Sequence, residues 1–254
     1  MLINYNEYKA MYDAEEKLWW YRVLHEKVLG EIKKKFKDNR QIKILDAGCG
    51  TGGLMSFLIK NGYQDIQGFD FSADAVSFCL ERNLNVQRID ITNFEEIFVD
   101  KTFDVIINND VVYQFENQII KKIFTTFQNK LKYEGILISN NNAFQIFYGT
   151  HDIAVGGKQR FTLSKFKIIL DNIPLKIVHH TYWSLILSPL ILAVRLIQQL
   201  QLKLNLIDLK NIKSDVNVPT DFVNNMFYQI VKLEEKLIKR GFFGSSLFMV
   251  LKRN

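Results

Sequence analysis

Residues 44–53 read ILDAGCGTGG, an apolar run that enters an aspartate and then a turn crowded with glycine. Gly48, Gly50 and Gly52 leave the backbone bare around Cys49. Glycine bends off a strand end without steric cost and lets a ligand lie directly against main chain. A helix starting just afterwards would aim its unpaired N–H groups at the same spot. The segment reads as a cofactor seat. Two further acids, Asp70 and Asp90, each close a short apolar run downstream. What the seat holds turns on charge.

The glycines alone leave two cofactors open. Gly48, Gly50 and Gly53 satisfy the G-x-G-x-x-G dinucleotide fingerprint, with Asp70 at about the usual distance for its acid, which would make the chain an NAD-type oxidoreductase. Asp46 argues the other way, because a carboxylate at the mouth of the turn repels a pyrophosphate. It suits a ligand with a positively charged end. S-adenosyl-L-methionine carries an ammonium and a sulfonium and no phosphate.

The elements that must position these residues follow from periodicity. The pattern predicts a helix over 54–60 stopped by Asn61-Gly62, a strand over 66–69 ending at Asp70, and Ser72 as cap of the next helix. That helix, over 73–82, should bury Val76, Cys79 and Leu80. Strands follow over 86–89 and 103–107, the latter opening onto Asn108, Asn109 and Asp110. A helix through Ile119, Ile120, Ile123, Phe124, Phe127 and Leu131 leads to a fifth strand at 135–139. A sixth at 175–179 and an antiparallel seventh at 246–251 complete the set. The expected fold is α/β, a Rossmann-like seven-stranded sheet, mostly parallel with an antiparallel last strand. Helices cover both faces, and ligands bind at the carboxyl ends of the strands.

With its strands in place, ILDAGCGTGG resembles the first motif of the class I S-adenosylmethionine-dependent methyltransferases. The resemblance implies S-adenosyl-L-methionine as methyl donor and S-adenosyl-L-homocysteine as product. It places Asp46, Gly48, Cys49, Gly50, Gly52, Asp70, Phe71, Asp90, Ile91 and Asn108 around the donor. Asp70 would take both ribose hydroxyls, Asp90 the adenine amino group and the Ile91 N–H a ring nitrogen. Asp46 would lie near the methionine end, and the Asn108 carbonyl would hold its ammonium.

The resemblance spans about residues 12–200. Trp19-Trp20-Tyr21-Arg22 is similar to a Trp-Trp-aromatic-Arg cluster that precedes the first motif in many small-molecule methyltransferases. Leu18 and Leu24 stand where those relatives usually carry His and Arg. The aromatics would form a lid that excludes water, pack as core, or both. The stretch YGTHDIAVGGKQRF resembles a segment that follows the fifth strand in the same subgroup. His151, Asp152, Gly156, Arg160 and Phe161 occupy its places, while Gly157 and Phe161 replace a histidine and a tyrosine. His151 titrates nearest neutral pH and is the candidate general base. Tyr21 and Tyr113 join it as catalytic candidates, with Tyr148 and Arg160 as candidates for binding the acceptor.

Composition bounds the partners. Of 254 residues 48% are hydrophobic and two are cysteine, which argues against a disulfide framework and for a reducing cytoplasm. The polar start MLINYNEYKAMYDAEE does not read as a secretory signal. The net charge of +6 comes from short lysine runs without interleaved aromatics, so no nucleic-acid partner is expected. The four histidines and two cysteines show no metal-ligand spacing, and no metal is expected.

The expected layout is one methyltransferase domain over 1–254. An N-terminal helical lid (1–40) precedes the cofactor-binding core (41–180), a helical insertion between strands six and seven (181–243) and the last strand (244–254). The insertion opens with an apolar run of about a dozen residues, too short for a bilayer span. Its second helix, over 221–240, should turn Phe222, Met226, Phe227, Ile230, Leu233 and Leu237 inward. The insertion reads as a cap over the acceptor, a peripheral membrane contact, a dimer surface, or two helices burying each other. The expected function is methyl transfer to oxygen or nitrogen of a small-molecule acceptor, lipophilic or sugar-linked, by a monomer or homodimer. A non-catalytic regulatory protein that binds S-adenosyl-L-methionine is the alternative, and Gln114, where relatives often place histidine, favours it.

Overall fold

The structure is a computed structural model that describes residues 5–98, 101–208, 212 and 214–253. The first four residues of the expected lid, and parts of the insertion loop at 209–211 and 213, lie outside the described residues. Two helices, α1 (Tyr5–Ala14) and α2 (Trp19–Phe36), precede the sheet. β1 (Ile44–Ala47), α3 (Gly53–Lys60), β2 (Ile66–Asp70), α4 (Ala73–Glu81) and β3 (Val86–Arg88) build one half. A short α5 (Phe94–Ile97), β4 (Phe103–Asn109), α6 (Asn117–Lys130), β5 (Leu131–Asn142), α7 (Thr150–Ala154), α8 (Leu163–Ile169) and β6 (Leu175–Trp183) build the other. The insertion contributes α9 (Ser188–Lys203) and α10 (Asp221–Leu237) before β7 (Ser246–Arg253).

The strand order is β3-β2-β1-β4-β5-β7-β6, with β7 antiparallel to both neighbours and the other strands parallel. Order reverses between β1 and β4, which opens a crevice at the carboxyl ends of those strands. Successive strand residues point to opposite faces. Ile44, Val105, Ile107, Ile136 and Ile138 meet Val28, Ile32, Met55 and Leu58 of α2 and α3 on one face. Leu45, Ala47, Ile106 and Leu137 meet Phe124, Phe127 and Phe166 of α6 and α8 on the other. Near-continuous apolar strands, buried on both sides, are what a parallel sheet requires.

Several boundaries move. β4 runs two residues past its expected end, β5 starts at Leu131, and β6 continues to Trp183, so His179 and His180 lie within it. The longer β6 is explained by its full antiparallel ladder with β7. Leu80 of α4 is exposed; Ala75, Phe78 and Cys79 are buried instead. The larger correction concerns α10. Its buried residues are Asn224, Val231 and Glu234, with Phe227, Tyr228 and Ile230 packed partly beneath, whereas Phe222, Met226, Leu233 and Leu237 face outward. The apolar stripe lost the interior because α2 offers α10 backbone and polar groups. The Asn224 amide accepts from the Trp19 N–H at 2.8 Å and donates to the Lys17 carbonyl at 2.8 Å.

Candidate functional site

The glycine turn is pinned from below. The N–H groups of Gly48 and Cys49 donate to the Phe69 carbonyl at 2.9 and 3.0 Å, and the Gly50 N–H donates to Asp70 Oδ2 at 3.0 Å. Gly48 and Gly52 both take φ of +83°, a region that favours glycine. A Cβ at Gly48 would stand 2.4 Å from the Val111 side chain, and one at Gly52 2.3 Å from Leu84. The turn therefore stays thin both towards the loop after β4 and towards the start of β3. The Ser72 N–H donates to Asp70 Oδ1 at 2.9 Å, and the Thr92 N–H and hydroxyl both donate to Asp90 Oδ1 at 2.8 Å. Each acid is oriented by its own turn.

These elements open into a cavity of about 720 Å³. Asp46, Gly48, Cys49, Gly50, Asp70, Phe71, Asp90 and Ile91 all line it, as do Tyr21, Tyr113, His151 and Arg160. Three expected site residues do not. Gly52 faces Leu84 and Cys79, away from the cavity. Asn108 is fully buried and donates to the Ala47 carbonyl at 2.8 Å, tying β4 to β1. Its successors Asn109 and Asp110 reach the cavity instead, because β4 extends further than the apolar run suggested. The Tyr148 hydroxyl turns to the Gly157 carbonyl at 3.3 Å.

Four acids of the cavity, Glu7, Glu15, Asp110 and Asp215, escaped the sequence reading. Glu15, between α1 and α2, pairs with Arg82 at 2.7 Å and accepts from the Thr51 hydroxyl at 2.6 Å. Asp110 accepts from the Asn140 amide at 2.8 Å, and the same Asn140 accepts from the Trp183 indole at 2.9 Å. Asp110 Oδ1 is buried without a hydrogen-bond partner among the described residues. Burial lifts four of the cavity carboxyls. Asp46 is pushed up to about 8, with Glu15 and Asp70 adding repulsion. Asp110 rises to about 7, and Glu15 to about 7 against the opposing pull of Arg82. Asp70 rises to about 6, held down by backbone N–H groups. Carboxyls lifted together at one place create demand for a cation.

The opposite wall is built from distant segments. His151 Nδ1 accepts from the Asp215 N–H at 3.3 Å, and burial lowers its pKa, so the ring is neutral with its proton on Nε2. Arg195 of α9 pairs with Asp215, and the Ser214 N–H reaches the Glu7 carboxylate at 3.3 and 3.4 Å. Residues 214–219 thus strap the cavity, tied to α1, α7 and α9. Arg160 is already committed: it grips Asp152 in a bidentate pair at 2.9 and 3.0 Å and donates to the Ala143 carbonyl at 3.1 Å. Its guanidinium pins the wall. Trp20 lines the cavity while stacked on Trp183 at 5.5 Å and set edge-on to Tyr21 at 5.1 Å. The aromatic cluster therefore serves core and cavity together. Burial pushes the Tyr21 and Tyr113 phenols well above their ordinary range.

Comparison with known proteins adds a family. Residues 38–165 match the model of a family described as a methyltransferase domain. Phosphoethanolamine N-methyltransferase 3 of Arabidopsis thaliana is 31% identical over 121 residues, which cover 43% of this chain and 24% of that protein. The ubiquinone biosynthesis O-methyltransferase of Rickettsia bellii strain OSU 85-389 is 26% identical over 151 residues, covering 54% of this chain and 61% of that one. The chain thus matches between a quarter and three fifths of these relatives' length. Among solved structures, the plantazolicin methyltransferase in complex with S-adenosyl-L-homocysteine superimposes with a TM-score of 0.58 at 17% identity, over 98% of this chain and 90% of that one.

Proposed function

The chain belongs to the methyltransferase-domain family, and from that premise we propose that it transfers a methyl group from S-adenosyl-L-methionine to oxygen or nitrogen of a small molecule. The observation that carries this reading is the shared cavity. One space joins the glycine turn and strand-end carboxylates to the wall of Tyr21, Tyr113 and His151. The lifted carboxyl of Asp46 fits a donor with positive charge at its methionine end, and the bare backbone at Gly48 and Gly50 fits a ligand pressed against the turn. Relatives named for N- and O-methylation support either acceptor atom.

The donor supplies an electrophilic methyl on sulfur, so the protein's work is alignment and exclusion of water. In this reading Asp70 takes the ribose hydroxyls, Asp90 and the Ile91 N–H hold the adenine, and Asp46 faces the methionine end. Tyr21 and Tyr113 position the acceptor. Asp110, which lines the cavity and has a pKa near 7 that suits a general base at neutral pH, takes the acceptor's proton. Asn140 fixes the orientation of that carboxyl. His151, with its proton on Nε2, offers a donor rather than a base while the strap is in place.

Labelled donor with a panel of amine and hydroxyl acceptors tests the reaction, beside calorimetric titration with S-adenosyl-L-homocysteine and NAD. Tight NAD binding without S-adenosyl-L-homocysteine binding would overturn the donor. Donor binding with no transfer to any acceptor would point to a regulatory protein. Asp110→Asn should lower turnover about a hundredfold and leave donor affinity within about twofold. Equal turnover in that variant removes Asp110 as base.

A further inference from the structure

We propose that the insertion seats this protein on an anionic lipid bilayer, through the outward faces of α9 and α10. Both helices expose an apolar stripe of the kind an ordinary surface helix buries. On α9, Leu190, Val194, Leu196, Ile197, Leu200 and Leu204 are each 45–58% exposed. At 3.6 residues per turn they share one arc of about 160°. The opposite side of α9 mixes polar and apolar contacts, with Ile191 packed partly against the core. Ser188 and Arg195 are buried, and Gln199 donates to the Tyr148 carbonyl at 2.7 Å. α10 is apolar on both sides: Val231 is buried beside Asn224 and Glu234, while Phe222, Met226, Leu233 and Leu237 are exposed. The two helices meet at one end: Glu234 of α10 accepts from the N–H groups of Leu185 and Ile186, at 3.0 and 2.8 Å, just before α9 begins.

Charge selects the occupant. α9 contains no acidic residue. On α10, Glu234 is spent on that backbone and Glu235 on Lys27 and Lys232, which leaves Asp221 of the first turn as its exposed acid. Lys203, Lys236, Lys239 and Arg240 are exposed around the apolar arcs. A second copy of the chain would set these cations against their own kind, whereas anionic headgroups offset them. No helix among the described residues is long and apolar enough to cross a bilayer, so the contact lies in the plane of the interface. The inner side of α9 contributes Ile191 and Arg195 to the cavity wall. A bilayer on its outer side would stand about one helix diameter, ~10 Å, from the cavity. An acceptor of lipid character could then reach the site without crossing water.

Vesicle sedimentation tests this with the whole chain. The protein should sediment with vesicles of phosphatidylcholine and phosphatidylglycerol, more weakly with phosphatidylcholine alone, and less as salt rises. Leu190→Gln combined with Ile197→Gln and Leu204→Gln should weaken binding at least ~tenfold, with melting temperature and S-adenosyl-L-homocysteine titration unchanged. Lys236→Glu with Lys239→Glu, two exposed residues that keep the test alive should the triple variant not fold, should abolish the preference for anionic vesicles. Absence of vesicle binding overturns the proposal, as does binding that neither variant alters. A dimer seen by light scattering that the triple variant dissolves, without vesicle binding, gives the face to a second copy instead. The outcome is independent of the proposed reaction: vesicle binding without methyl transfer would keep the lipid contact and end the other reading.

Discussion

On the strand-end side of the cavity, Asp70 and Asp90 are each oriented by the N–H of the residue two places on. On the insertion side, His151 is held by Asp215, sixty-four positions away, and Ser214 by Glu7, across 207. The first arrangement is local turn chemistry and survives as long as its turn does. The second is a set of ties between separately folded stretches, and each tie depends on the others. The strand-end side is therefore suited to holding an invariant ligand, and the insertion side to admitting and enclosing a variable one.

The largest way to break this contrast is Arg160→Ala. Arg160 carries the wall between α7 and β5, and its loss leaves Asp152 buried without its cation. Removing one partner of a buried ion pair costs about 3–5 kcal/mol, so urea unfolding should show the folded state weakened by that order. A variant of near-normal stability with impaired transfer would return Arg160 to the acceptor-binding role its sequence position suggested. Asp70→Ala should act oppositely. It should leave the fold near its original stability while weakening S-adenosyl-L-homocysteine binding on the order of thirtyfold, about 2 kcal/mol. Unchanged affinity by calorimetry removes the ribose role.

A pH series sharpens the strand-end side further. Asp46, Glu15 and Asp70 have folded pKa values near 8, 7 and 6, each raised above the unfolded carboxyl range by burial. The folded protein keeps protons that the unfolded chain has lost. The stability these groups contribute is therefore fully present below about pH 4 and is lost as pH rises through 6 to 8. A cationic donor reverses the preference, favouring the ionised forms, so its binding should release protons. Donor affinity should strengthen up to about tenfold between pH 6 and 8. Calorimetry in buffers of different ionisation heat measures that release directly. Flat affinity with no proton release would mean that these carboxyls do not meet a cation.

The same contrast explains what the sequence made legible. The glycine turn, the strand-end acids and the strand alternation were readable because each depends on residues within a few places of one another. Asn108 lies outside the cavity lining because two more residues of β4 bring Asn109 and Asp110 to it. Glu15 gave no signal, since its role is set by Thr51 and Arg82. The α10 stripe misled for a stronger reason. Periodicity reveals that a helix has an apolar face, but not which face the rest of the fold can accept. Here Asn224 and Glu234 found partners in Trp19, Lys17 and the approach to α9, Val231 and Phe227 turned inward beside them, and Phe222, Met226, Leu233 and Leu237 were left outside.

His151 offers the finest test. Its Nδ1 accepts a long hydrogen bond from the strap, whose other ties, Glu7 to Ser214 and Arg195 to Asp215, do not involve the imidazole. His151→Phe should therefore loosen residues 214–219 without releasing them, an effect of about 0.5–1.5 kcal/mol. Amide exchange at Asp215 should speed by about two- to tenfold, and turnover should fall by no more than that, with donor affinity unaltered. The two roles proposed for this side chain differ in what moves. A latch changes exchange and acceptor KM together, because both report strap opening. A base changes kcat alone, by about a hundredfold or more, with a pH profile that loses its acid limb. The hydrogen bond that the strap donates to Nδ1, with burial lowering the ring's pKa, favours the latch and accords with the proposal that Asp110 carries the proton transfer.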